Sequence, residues 1–197
     1  MPQLPLNIDM HGRKALVVGG GQVASRKVAA LLAAGAAVRV VAPDAKHVLH
    51  ELAVSGQIEL RLGNYQSDDL DGVFLVASAT DSRQVNSAVA AEAAARGLLV
   101  TVSDAPELGN CIFPAVFRRG DLEISVSTGG GCPAFAAHVR DVLAGLIGPE
   151  YGLALERLAA ERDRLLASGS SSACNAVAMR ASVRREIEAL AECETKA

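Results

Sequence analysis

Residues 14–41 read KALVVGGGQVASRKVAALLAAGAAVRVV. The short apolar run from Lys14 to Val18 predicts a strand that enters three consecutive glycines. Alanine and leucine then recur at helical spacing from Val23 to Ala34, and Gly35 is typical of a residue that ends a helix. The run from Ala37 to Val41 predicts a second strand. Together these features predict a βαβ unit, in which a helix joins two parallel strands.

The alternation of strands and helices continues to about residue 102. We predict helices over residues 45–54 and 82–96, and strands over residues 58–62, 73–78 and 98–102. Strands that alternate with helices form a parallel sheet with helices on both of its faces. The predicted fold class is therefore α/β, with a Rossmann-like parallel sheet.

A different pattern begins after Pro106. Two β-like runs, Cys111 to Arg118 and Leu122 to Ser127, are separated only by Arg-Gly-Asp at residues 119–121, which is the spacing of a β-hairpin. Apolar and polar residues alternate in the second run, so one face of the hairpin is apolar. We therefore interpret the Arg-Gly-Asp tripeptide as a turn rather than as a cell-adhesion motif.

Three helices are predicted in the last third of the chain. The first spans residues 133–147, and the other two, over residues 150–166 and 175–191, flank a Ser/Gly-rich string at residues 168–172. Dense mixed charge on the last two helices favours a solvated helical hairpin over a dedicated binding surface. We expect a Rossmann-like domain over residues 1–110, a hairpin-and-helix region over residues 111–148 and a small helical tail over residues 149–197.

The composition excludes several classes of protein. Of the 197 residues 50% are hydrophobic, and 22 acidic side chains against 19 basic ones give a formal charge of −3. This balance excludes a disordered chain and a polycation that binds nucleic acid through bulk charge. There is no membrane-spanning apolar stretch and no signal-peptide pattern, so we expect a cytoplasmic protein without membrane contact. The four cysteines are far apart, so we expect free thiols and no metal site.

The glycine turn carries the first candidate binding site. Residues 19–24, GGGQVA, fit the pattern G-x-G-x-x-A between a predicted strand and the helix that follows it. In dinucleotide-binding folds Gly19 would permit the tight turn, and Gly21 would let the backbone approach a pyrophosphate. The helix N-terminus supplies N–H groups for the anion. We therefore predict that Gly19, Gly21, Gln22 and Val23 bind a dinucleotide cofactor.

Two residues at the end of the second strand, Pro43 and Asp44, indicate which dinucleotide binds. A carboxylate at this place accepts a hydrogen bond from the ribose 2′-hydroxyl and repels a 2′-phosphate, which favours NAD over NADP. Asp44 also fits the N-cap of the next helix, and the sequence leaves both interpretations open.

Two further loops follow strands at the same predicted edge of the sheet. Ala79 and Thr80 follow the fourth strand and are expected to line the nicotinamide side, although Thr80 or Asp81 also fits a helix cap. Asp104 follows the fifth strand, where a carboxylate is placed to act as a general base beside the cofactor. Because it precedes Ala105-Pro106, Asp104 also fits an ordinary turn, and both interpretations stay open.

Several motifs, taken in chain order, resemble one enzyme family. The motifs are VVGGGQVASRK at residues 17–27, ATD at 79–81 with Asn86, VSDAP at 102–106, FPA at 113–115, and VSTGG at 126–130 with Pro133. They are similar to the precorrin-2 dehydrogenase / sirohydrochlorin ferrochelatase family, the module that also forms the amino-terminal part of siroheme synthase. The resemblance runs from residue 4 to about residue 143. The chain departs from the family pattern at Thr101, where Asn is common, and at Thr128 and Cys132, where Ser is common.

The resemblance implies a function and a set of site residues. The chain would oxidise precorrin-2 to sirohydrochlorin with NAD, and as a second activity would insert ferrous iron, or cobalt, into the product. Asp104 would be catalytic, and the hairpin region would form a homodimer beside a tetrapyrrole cleft. The substrate carries many carboxylates, which basic side chains recognise, although each such side chain also fits a solvated surface charge. The expected substrate-binding residues are Arg118, Arg119, Arg140 and Thr128, with Arg26 and Lys27 as further basic candidates.

Two alternatives belong to other functional classes. An NAD-sensing regulatory Rossmann module without catalysis would share residues 19–44 but would not need Asp104. A chelatase that binds no cofactor would not need the glycine turn.

Overall fold

Five parallel strands form the sheet that the sequence predicts. The computed structural model describes residues 3–169 and 171–194. The strands are β1 Lys14–Val18, β2 Ala37–Ala42, β3 Ile58–Leu62, β4 Leu75–Ser78 and β5 Leu99–Val102, in the order β3-β2-β1-β4-β5. After β1 the chain adds β2 and β3 on one side of β1, and it then crosses to the other side, where it adds β4 and β5. The Rossmann-like class is thus confirmed, and ligands of such sheets bind at the carboxyl ends of the strands where the order reverses.

Helices cover both faces of this sheet. The helices α1 Gln22–Ala33 and α2 His47–Val54 pack with Val17 in one apolar cluster, while α3 Arg83–Ala95 packs with Leu16 in a second. Because alternate residues of β1 enter the two clusters, four consecutive residues of this strand are buried. Two 3₁₀ turns that were not predicted from the sequence lie at Ser67–Leu70 and Pro106–Leu108.

The chain divides between Phe113 and Pro114 into two compact units, and the second contains the predicted hairpin. The strands β6 Ala115–Arg119 and β7 Leu122–Val126 pair antiparallel, and residues 120 and 121 form a two-residue turn. Gly120 has a positive φ of 57° there, and the interpretation of Arg-Gly-Asp as a turn is confirmed.

Three helices complete the second unit: α4 Pro133–Leu146, α5 Pro149–Ala167 and α6 Ser172–Glu194. The hairpin packs against α4 and α5, and α5 packs against α6. Part of the predicted Ser/Gly-rich string is helical, since α6 begins at Ser172, while Ser170 lies outside the described residues. Among the described helices, none combines the length and the apolar character needed to cross a membrane.

The hairpin begins at Ala115, four residues later than predicted. The N–H groups of Asn110 and Cys111 donate instead to the Val100 oxygen of β5, at 2.9 and 3.2 Å. The Asn110 side chain extends this pairing, because its Oδ1 accepts from Val100 N and its Nδ2 donates to Leu98 O, both at 2.8 Å. The segment before the hairpin therefore covers the free edge of β5 rather than forming a strand of the hairpin.

Candidate active site

The glycine turn brings three loops together at the carboxyl ends of β1, β2 and β4. Gly19 has a positive φ of 122°, and its N–H donates to the Val41 oxygen at 2.9 Å. A Cβ on Gly19 would lie 2.3 Å from the Ala79 oxygen, and one on Gly20 would lie 2.0 Å from the Asp44 oxygen. The contacts between loops therefore require both glycines. The sequence analysis assigned a role to Gly19 and missed that of Gly20.

Gly21 differs from the two glycines before it because the space beside it is open. It is the N-cap of α1 with φ −83° and ψ −168°, and a Cβ there would meet no atom of the described chain within 4 Å. Within the described residues no side chain caps α1, and its first turn has no acidic residue. Uncapped N–H groups at the positive end of a helix attract an anion. The open cradle at Gly21, Gln22 and Val23 therefore fits the pyrophosphate of a dinucleotide.

Pro43 and Asp44 are exposed at the end of β2, beside the glycine turn. Oδ1 of Asp44 accepts from Ala45 N at 2.9 Å, whereas the N-cap of α2 is Lys46. The interpretation of Asp44 as the N-cap of the next helix is therefore wrong, because the helix starts two residues later. The Lys46 ammonium donates to Gln22 Oε1 at 2.9 Å and joins the start of α1 to the start of α2. No local pattern in the sequence indicates this contact.

The loop after β4 is tied to α3 through the hydroxyl of Thr80. Thr80 Oγ1 lies 2.7 Å from Asn86 Oδ1 and accepts from Ser82 N at 3.2 Å. Ser82 itself is the N-cap of α3, since its Oγ accepts from Val85 N. Neither Thr80 nor Asp81 is therefore the N-cap. The hydroxyl of Thr80 is engaged within the loop, next to Ala79 and the glycine turn.

Asp104 lies in the loop after β5 with its carboxylate exposed but anchored. Its Oδ1 accepts from Asn86 Nδ2 at 2.8 Å, and Asn86 is fully buried. Among the described residues no hydrogen bond reaches Oδ2. One carboxylate oxygen is thus fixed to the protein while the other is free to accept a proton. The sequence analysis identified Asp104 and named Asn86 only as part of a motif.

Lys27 of α1 is half-buried, which contradicts its interpretation as a solvated surface charge. Its ammonium lies 4.2 Å from the centre of the Phe113 ring, a cation–π contact. Burial lowers the pKa of Lys27, and the positive charge of Arg26 lowers it further. Burial also raises the pKa of the Cys111 thiol. Arg26 is exposed, as a solvated side chain would be.

Two of the arginines expected to bind substrate lie on β6 of the second unit and differ in their partners. Arg118 forms an ion pair across the hairpin with Glu123. Arg119 donates to the Ile147 oxygen at 2.9 Å and to the Ala144 oxygen at 2.7 Å. These carbonyl groups belong to the end of α4, so Arg119 holds this helix end against the hairpin.

The other two expected substrate-binding residues also lie in the second unit. Arg140 pairs with the neighbouring Asp141, with Nη2 and Oδ1 2.6 Å apart. Thr128 Oγ1 accepts from Cys132 N at 3.1 Å, just before α4 begins. The side chains described include no group of three His, Cys, Asp or Glu residues that would hold a metal ion.

Comparisons with known proteins agree with this geometry. Residues 6–115 match the sequence model of a family described as "Putative NAD(P)-binding". The chain is 46% identical over 167 residues to siroheme synthase of Pseudomonas entomophila, a match over 85% of this chain and 36% of that protein. It is 43% identical over 166 residues to siroheme synthase of Methylococcus capsulatus, over 84% of this chain and 35% of that protein. The chain thus spans about a third of the length of these relatives.

A solved structure gives a match over nearly the whole chain. It is titled "SirC, precorrin-2 dehydrogenase", with a TM-score of 0.74 and 25% sequence identity, over 94% of this chain and 100% of that one. The predicted NAD cofactor is supported by the family match together with the open cradle at Gly21. The chain therefore belongs to this NAD(P)-binding family, and its resemblance to the precorrin-2 dehydrogenase module of siroheme synthase is confirmed.

Proposed function

We propose that the chain oxidises precorrin-2 to sirohydrochlorin with NAD. The observation that carries the proposal is the anchored, exposed carboxylate of Asp104 at the cofactor edge of the sheet. Asn86 bonds to both Asp104 and Thr80, and Thr80 follows Ala79, whose backbone contacts Gly19. A continuous set of contacts thus links the glycine turn to the candidate base. Relatives named siroheme synthase and a structure titled precorrin-2 dehydrogenase support the choice of substrate.

Each loop has a separate task in the proposed reaction. The N–H groups at the start of α1 bind the pyrophosphate, and Asp44 accepts hydrogen bonds from the ribose hydroxyls. The dinucleotide held there would supply the acceptor for a hydride that leaves the macrocycle. Asp104 accepts the proton that leaves the same macrocycle, so that the substrate loses one hydride and one proton in total. Asn86 keeps one oxygen of Asp104 in place while the other oxygen receives this proton.

We propose Arg118 and Arg140 as partners of the substrate carboxylates. Each is paired with an acidic side chain at the surface, and a substrate carboxylate would replace that partner. Arg119 fits this role less well, because its guanidinium is held by two carbonyl groups at the end of α4. We also retain Thr128 as a substrate-binding residue, because its hydroxyl oxygen accepts from Cys132 N while its O–H can still donate a hydrogen bond to a substrate carboxylate.

A second activity in the same proposal is the insertion of ferrous iron, or of cobalt, into sirohydrochlorin. The metal is a substrate in this reaction, and the macrocycle must release its pyrrole N–H protons. The free oxygen of Asp104 is suited to receive them, one at a time. The name of the sequence relatives, siroheme synthase, supports this activity.

We further propose that the chain works as a homodimer in the cytoplasm, formed by the hairpin region at residues 111–148. Two large apolar side chains of α4 support the dimer, because Phe135 is 58% exposed and Leu146 is 67% exposed. Surfaces of this kind are typical of subunit contacts. Free thiols at Cys111, Cys132 and Cys174 agree with a reducing compartment.

The test is to incubate the purified protein with precorrin-2 and NAD and to record the absorbance of sirohydrochlorin and of reduced NAD. We expect both to form in equal amounts, and to form far more slowly in Asp104→Asn. The NAD-sensing module is the less favoured alternative, because sensing gives no role to an anchored carboxylate. It would show NAD binding without any oxidation, and that result would overturn the proposal.

A further inference from the structure

The side-chain amide of Asn86 is the centre of a hydrogen-bond network at the candidate active site. Its Oδ1 accepts from Ser78 Oγ at 2.8 Å and from Thr80 Oγ1 at 2.7 Å. Its Nδ2 donates to the Thr80 oxygen at 3.0 Å and to Asp104 Oδ1 at 2.8 Å. An amide has two acceptor lone pairs and two N–H donors, so every position of the Asn86 amide is used.

The network permits only one orientation of this amide. The Thr80 N–H, which can only donate, also donates to Oδ1 at 3.3 Å. A flip would turn the NH₂ group toward this N–H and the oxygen toward the Thr80 carbonyl and the Asp104 carboxylate. That arrangement would place the amide oxygen against two other acceptor oxygens and the NH₂ group against the Thr80 N–H, at a cost of about 1–3 kcal/mol for each lost bond. The N–H group is therefore held toward Asp104 by residues of β4 and of the loop after it.

We propose that Asn86 is the positioning residue for Asp104, an inference that rests on the proposed role of Asp104 as the base. The bonds to Ser78 and Thr80 are sufficient to join α3 to β4. The bond to Asp104 adds little to stability, since water solvates an exposed carboxylate well. The bond instead orients the carboxylate of Asp104, because it fixes Oδ1 and leaves Oδ2 facing away from the amide. A base held in one geometry transfers protons faster than one that samples several rotamers.

Asn86→Asp tests this directly, since it keeps the size of the side chain and its acceptor oxygen but removes both N–H donors. We expect kcat for precorrin-2 oxidation to fall about ten- to a hundredfold, with unchanged affinity for NAD. The activity should also shift to higher pH, because two adjacent carboxylates retain a proton between them. The charged groups beside this network are Arg83, on the same helix as Asn86, and Glu107, in the turn after Asp104. They lie 4.0 Å apart and are unchanged in the variant, so they do not account for a shift of the pH profile.

Tyr65→Phe is the matched control, since it removes a hydrogen bond from the same helix. The Tyr65 hydroxyl donates to Glu92 of α3 at 2.8 Å, away from the cofactor edge. The Tyr65→Phe substitution should lower the melting temperature of the protein and leave kcat and the pH profile of the activity unchanged. If Asn86→Asp does not fold, Asn86→Ser serves instead, because its neutral side chain is too short to reach Asp104. An unchanged kcat in a folded Asn86 variant, with Asp104→Asn inactive, would overturn the inference.

A measurement without substrate separates this inference from the proposed function. The three-bond NMR couplings that report χ1 of Asp104 are measured in the unchanged chain and in Asn86→Ser. We expect one χ1 rotamer of Asp104 in the unchanged chain and couplings averaged over several rotamers in the variant. A single rotamer in both proteins would overturn the inference whatever the activity. If Asp104→Asn is fully active while the Asp104 couplings of Asn86→Ser are averaged, only the role of Asp104 as the base fails.

Discussion

Substitution of Gly21 by valine separates cofactor binding from folding. The backbone at Gly21 has φ −83°, which valine adopts without strain, and a Cβ would meet no atom within 4 Å among the described residues. The substituted side chain would instead fill the space through which a pyrophosphate reaches the N–H groups of α1. The change should therefore act on the ligand and leave the folded chain almost unaffected.

The magnitude follows from the hydrogen bonds that the valine side chain would prevent. Two charge-assisted bonds between N–H groups and a phosphate, at about 1.5 kcal/mol each, give about 3 kcal/mol, or roughly a hundredfold weaker NAD binding. The free energy of unfolding should change by no more than about 1 kcal/mol, because two effects oppose each other. Valine is less favourable than glycine at an N-cap, but it also lowers the conformational entropy of the unfolded chain.

Calorimetric titration with NAD and urea unfolding together measure both quantities. Gly145→Val is the matched control, because Gly145 is exposed on α4 and a Cβ there also meets no described atom within 4 Å. It should bind NAD normally. Gly20→Val is the opposite case, since its Cβ would overlap the Asp44 oxygen, and it should lose about 3 kcal/mol of stability or more. Normal NAD affinity in folded Gly21→Val would refute the location of the cofactor.

Three further predictions concern single residues. Asp104→Asn should lower the rate of precorrin-2 oxidation by about a hundredfold or more at unchanged NAD affinity, and normal turnover in a folded variant would remove Asp104 from the mechanism. Asn110→Ala should lower the free energy of unfolding, measured by urea denaturation, by about 1–2 kcal/mol, because two side-chain hydrogen bonds to the edge of β5 are lost. An unchanged free energy of unfolding would show that water replaces these bonds. Burial raises the pKa of the Cys111 thiol, so iodoacetamide at neutral pH should label the exposed Cys132 before Cys111. Mass spectrometry measures the extent of labelling at each cysteine, and equal labelling would contradict the burial of Cys111.

The sequence predicted most of the sheet because its signals are local. Most strands of the first unit are short apolar runs, and each helix has its own periodicity, so the Rossmann-like class follows from segments of four to thirteen residues. The first residue of the hairpin could not be predicted in this way. Cys111 belongs to a β-like run, but its N–H is taken by Val100 through a contact that only the folded sheet creates.

In the candidate site, too, some features follow from local sequence signals and others from contacts between distant residues. Gly19 follows β1 directly and Asp104 lies two residues after β5. Because the carboxyl ends of parallel strands meet at one edge, it could be predicted that these residues lie near each other. The need for a glycine at position 20 arises from the Asp44 backbone, and Lys46 reaches Gln22 from another loop. Such contacts join residues that are far apart in the chain, and no spacing pattern encodes them.

The most direct test of the central claim is a single-turnover measurement with precorrin-2 and NAD under anaerobic conditions. We expect sirohydrochlorin and reduced NAD to form together, one for one, in the unchanged chain. We also expect Asp104→Asn to bind both ligands but to form the two products about a hundredfold more slowly. Binding of NAD without any oxidation of precorrin-2 by the unchanged, folded protein would contradict the proposed function.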